Sequence, residues 1–124
     1  ANVYYAHFLI LGGVGETMQS VRRGIARARH IRHSVIFPYV GMRIYPHTRL
    51  HRLAVEQGVV SPDDTLIEPR YWLCPDFELE QARAEALATG KAWVFPDDEA
   101  NALMDKLRIE RNRKGPLWEY LRKP

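Results

Sequence analysis

Residues 9 to 17, LILGGVGET, set the tightest limit on what this chain can fold into. They close an apolar run, VYYAHFLIL over residues 3–11, whose β-branched and aromatic content predicts a strand buried on both faces of a parallel sheet. Gly12, Gly13 and Gly15 then supply a tight turn. Met18, Val21, Ile25, Ala28 and Ile31 follow at steps of three and four, which predicts an amphipathic helix over residues 16–31 facing the sheet. A second strand, SVIFPYVGMRIYP, is expected to run parallel to the first and complete a βαβ unit, broken or bulged near Pro38 and Gly41.

The rest of the chain changes texture. Residues 47–58, HTRLHRLAVEQG, predict a second helix with Thr48 as N-cap, Leu50, Leu53 and Ala54 inward and Gly58 as stop. Pro62, Pro69 and Pro75 punctuate an irregular stretch. A helix over residues 76–90 ends at Gly90, KAWVF forms a short strand or link, and a last helix runs from Asp97 or Asp98 to Gly115. Leu117 and Trp118 are expected to dock the C-terminus on the body. The resulting fold class is α/β: a βαβ-type portion over residues 1–60, then a mostly helical extension with two helices over residues 61–124. The chain opens on Ala1 and is strand-like within two residues, which suggests a piece of a longer protein.

With 124 residues and 46% hydrophobic content, the chain suffices for one compact core. No apolar run is long enough for a membrane span. A single cysteine, Cys74, excludes an internal disulfide and a zinc cluster, and the reducing cytoplasm is the default compartment. A net charge of +3 is a mild basic bias, concentrated in RRGIARARHIRH. Arg22, Arg23, Arg27, Arg29 and Arg32 spread around a helix instead of forming a stripe, which favours a solvated face over a nucleic-acid site.

A strand running into a glycine turn and a helix N-terminus presents free N–H groups and suits an anion. The two phosphate motifs fail here. No Lys-Ser or Lys-Thr follows the glycines, and Met18 stands where GxGxxG needs its last glycine. Glu16 puts a carboxylate where a phosphate would sit, so the loop suits a ligand with amine or hydroxyl donors. The alternative is that Glu16 only stabilises the helix start and the glycines only make the turn.

Arg43 and Tyr45 share one face of the second strand. If that strand is buried on both sides, Arg43 needs either an anionic ligand or a structural carboxylate. His47 and His51, at i and i+4, would share a helix face, but no third metal ligand lies nearby. Cys74, with no basic cluster beside it, reads as an inert buried thiol.

Two strings together resemble the C-terminal part of radical SAM enzymes, in particular the subgroup that carries a cobalamin-binding domain. FLILGGVGET resembles the motif GxIxGxxE, with Leu11 at the apolar position, Gly13 at the glycine and Glu16 at the acid. Leu9 replaces the motif's first glycine, and Val14 stands where many members have proline. The more specific string is VGMRIYPHTRLHRLAVEQGVVSPDDTLIEP, and KGPLWEYL is similar to the end of such chains.

The resemblance implies the last two βα units of a partial (β/α)6 barrel followed by a helical cap. It implies S-adenosylmethionine and a [4Fe-4S] cluster in the full-length protein, with cobalamin as an open alternative. The cluster's CxxxCxxC motif is absent from this chain, so the chain alone is expected to be non-catalytic and to hold no metal. Leu11, Gly12, Gly13, Val14, Gly15 and Glu16 would line the adenosylmethionine pocket on its adenine side, and Arg43 and Tyr45 would face the barrel interior. Expected partners are the remainder of the barrel, a small-molecule substrate and, through exposed strand edges, a second copy of the chain. The competing readings are a stand-alone module for a nucleotide-like ligand and a basic nucleic-acid-binding domain.

Overall fold

The computed structural model describes residues 3, 5–96, 98–112 and 121. Strand β1 (Tyr5–Leu11) enters the glycine loop, helix α1 (Met18–Ala28) follows, and β2 (Ser34–Val40) returns parallel to β1. The register runs from Tyr5 opposite Ser34 to Leu11 opposite Val40. Beyond Gly41 a second sheet pairs β3 (Met42–Arg43) with β4 (Tyr71–Trp72) antiparallel, and α2 (Arg49–Glu56) lies between them in sequence. Helices α3 (Leu79–Ala88) and α4 (Asp98–Arg111) complete a mixed α/β arrangement. Asp97, Gly115, Leu117 and Trp118 lie outside the described residues.

The second strand is not one run to residue 46. It stops at Val40, and Gly41, at φ +75°, turns the chain into the other sheet. Pro38 sits inside β2 without breaking it. The N–H and C=O of Ile36 bond the 92–94 segment, and alternation points the nitrogen of Pro38 to that same side. That segment meets β2 only at the Ile36–Trp93 bridge, so the missing donor falls where no ladder bond is needed.

Helix α1 begins at Thr17, whose Oγ1 accepts from Ser20 N–H while Ser20 Oγ accepts from Thr17 N–H, a reciprocal capping box. Its buried face, Met18, Val21, Ile25 and Ala28, packs on Leu11 and Ile36 of the sheet. Burial of the three larger side chains contributes on the order of 5–8 kcal/mol before chain entropy is subtracted. Ala82 and Ala86 of α3, one turn apart, lie in the same cluster with Trp93 and Phe95. A second cluster gathers Ile44, Ala54, Val60, Leu66 and Trp72, with Met42, Leu50 and Leu53 packed against it.

The expected cap of α2 holds: Thr48 Oγ1 accepts from His51 N–H at 3.1 Å, Ala54 is fully buried and Gly58 ends the helix at φ +70°. His47 and His51 do not share a helix face, because His47 has φ +64° and precedes the helix. Its N–H donates instead to His51 Nδ1 at 3.4 Å. No group of three metal-ligating side chains forms among the described residues. No helix among them is long and apolar enough to cross a membrane.

One face of the β1–β2 sheet carries Leu9, Leu11 and Ile36 toward α1. The opposite face leaves Phe8 62%, Ile10 51% and Tyr39 48% exposed. Phe8 lies 5.6 Å from the Phe37 ring and 5.9 Å from the Tyr39 ring, so the exposed side chains form an aromatic patch. The other edge of β1 has no strand partner among the described residues.

Candidate functional site: the glycine loop and its strap

Both sequence constellations lie at the carboxyl ends of the two parallel strands, where α/β sheets characteristically place ligands. Gly41 N–H donates to Leu11 O at 2.8 Å, which sets the turn after β2 beside the loop after β1. A Cβ on Gly13 would stand 3.2 Å from Met42 Sδ. The loop and the start of β3 are therefore in direct contact, through a methionine that no motif singled out.

Gly12 and Gly15 adopt φ +76° and +78°. Gly15 is open to solvent, whereas a Cβ on Gly12 would stand 2.6 Å from Leu73 Cδ1. Gly12 O accepts from Cys74 N–H at 2.9 Å. Residues 73–77 thus cross the loop as a strap. Asp76, at the end of that strap, accepts from Met18 N–H at 2.9 Å and so occupies the N-terminus of α1 from 58 residues away.

Glu16 is not in the first turn of the helix, because Thr17 takes the N-cap position. Its Oε2 accepts from Gly13 N–H at 2.8 Å, and its own N–H donates to Gly13 O at 3.1 Å. The carboxylate thereby closes the loop on itself. Its other oxygen has no hydrogen-bond partner among the described residues. One carboxylate on Gly13 and a second on Met18 take two of the donors that would cradle a phosphate. Glu16 therefore stabilises the loop and not the helix start.

The thiol of Cys74 is buried. Burial, then a hydrogen bond to Asp76 and the charges of Asp76 and Glu16, push its pKa up. Asp76 is shifted the opposite way, held below the usual carboxylate range chiefly by the Met18 N–H and further by the thiol. These opposed shifts favour a protonated thiol beside an ionised carboxylate.

The predicted residues divide. Leu11 is 1% exposed and belongs to the core, while Gly12 is buried under the strap and Gly13 against Met42. Val14, Gly15 and Glu16 form the accessible lip. Arg43 lies on the exposed face of β3, so the condition under which it would need a buried anionic partner is not met, and its guanidinium stands 4.9 Å from the centre of the Tyr45 ring. Its partner is an aromatic face and not a carboxylate. Nothing local in the sequence places Asp76 at the loop, because its contact with Met18 is made across 58 residues, and Cys74 reaches Gly12 from the same distant segment.

By fold and site the described residues define a mixed α/β protein with a carboxylate-closed glycine loop at the ends of parallel strands. No protein-family model, curated protein or solved structure matches the chain.

Proposed function

We propose that this chain is the C-terminal part of a radical SAM enzyme, and that its glycine loop forms part of an adenosylmethionine pocket. The observation that carries the reading is the two-sided character of the β1–β2 sheet. Parallel strands normally have both faces covered, and here one face meets α1 while the other exposes Phe8, Ile10 and Tyr39. In a (β/α) barrel the inner face of such a unit is completed by the other strands, and the free edge of β1 pairs with its neighbour.

The loop chemistry agrees with an uncharged, donor-rich ligand edge. Glu16 offers one carboxylate oxygen, and Val14 and Gly15 present exposed backbone beside it. The strap from Leu73 to Phe77 holds this lip in place through the Gly12–Cys74 and Met18–Asp76 bonds. An adenine amine or ribose hydroxyl could donate to Glu16 where a phosphate would be repelled. A [4Fe-4S] cluster does not fit the described residues, since Cys74 is the single cysteine and is buried. The reading therefore assigns cluster binding, and with it radical generation, to another part of the full-length protein.

Expression of the full-length gene product, anaerobic reconstitution with iron and sulfide, and chromatographic detection of 5′-deoxyadenosine test the proposal. Adenosylmethionine cleavage that weakens in a Glu16→Ala variant is the expected result. A full-length product without a three-cysteine motif, or one that never cleaves adenosylmethionine, would overturn it.

A further inference from the structure

We propose that the cleft between the glycine loop and α2 binds a small amphipathic anion: a carboxylate or phosphate ester on an aliphatic body. The cleft has a volume of ≈ 640 Å³, within the range of about 300–1,000 Å³ usual for small-molecule sites. Val14, Met42, Leu50 and Leu53 line its apolar part, and Arg49, Arg52 and Glu56 its polar part. None of the apolar lining is aromatic, so the surface suits a flexible alkyl chain better than a stacked ring.

The charge sets the polarity of the ligand. Arg49, Arg52 and Glu56 stand at i, i+3 and i+7 on α2, one stripe of the helix facing the cleft. Arg49 and Arg52 make no ion pair among the described residues, Glu56 included. Two guanidiniums one turn apart, beside an apolar floor, leave a single carboxylate in opposition. That arrangement complements an anionic head whose tail enters the cleft.

The site is separable from the adenosylmethionine reading, because only Val14 is common to both. Calorimetric titration of the 124-residue chain with octyl phosphate, octanoate, inorganic phosphate and octanol tests it. Octyl phosphate or octanoate is expected to bind, the stronger of the two identifying the head group. Loss of either the head or the tail should weaken binding about tenfold or more, and Arg49→Gln with Arg52→Gln should do the same. The charge-keeping pair Arg49→Lys and Arg52→Lys should retain most of the affinity, with circular dichroism confirming the fold of each variant. Equal binding of octanol, undiminished binding in the glutamine variant, or no binding of either amphiphile would overturn the proposal.

Discussion

Gly41 joins the two sheets, and its replacement by alanine separates conformational strain from steric collision. The residue has φ +75°, and a Cβ there would stand 2.6 Å from the carbonyl oxygen of Trp72, well inside the ordinary contact range of 3.4–4 Å. The obstacle is backbone, so no side-chain rotation relieves it; β4 has to move away from β3. Gly58 has a similar φ of +70° with nothing within 4 Å of its Cβ position. Gly58→Ala should therefore cost only the left-handed penalty, about 1 kcal/mol after the stiffer unfolded chain is credited. Gly41→Ala carries the same penalty plus an overpacking cost of about 1–3 kcal/mol, for a total of about 2–4 kcal/mol. With an m-value of about 1–3 kcal/mol per molar urea, Gly41→Ala should lower the urea midpoint by about 1 M or more, and Gly58→Ala by clearly less. Equal midpoints for the two variants would refute the claim that the Trp72 carbonyl packs against Gly41.

Asp76→Ala removes the acceptor for Met18 N–H. Because the folded state depresses the Asp76 pKa, its contribution is present above the unfolded carboxylate value and is lost as pH falls through the folded one. Thermal melts should show a wild-type advantage at pH 7 that disappears in acid; a gap independent of pH would contradict the assignment. Cys74, buried and with its pKa raised, should resist iodoacetamide at pH 8 and label readily in denaturant. Rapid labelling of the native chain would show that the strap does not cover it. Thr48 Oγ1 accepts from His51 N–H and donates to Tyr45 O, so Thr48→Ala should cost about 1 kcal/mol in urea unfolding, and no loss would remove the cap from the account of α2.

The local elements were legible because each is written in short-range chemistry. The steps of three and four from Met18 to Ala28, Thr48 before α2, and the glycines at 58 and 90 announce helices and their ends without reference to distant residues. The parallel pairing of β1 and β2 follows almost as directly, since one amphipathic helix separates two apolar strands. The glycine turn between β1 and α1 was legible too.

What closes that loop was decided only in three dimensions. Glu16 turns back on Gly13 because Thr17 takes the cap, and the helix N-terminus that Glu16 leaves open is filled by Asp76. Arg43 finds an aromatic ring because β3 breaks from β2 at Gly41 and leaves that face exposed. Hydrogen-bond donors at a helix start must be satisfied by some acceptor, and local sequence states that demand clearly. Which acceptor arrives depends on how a strap 58 residues further along packs against the loop, and that is set by the shared core of both segments.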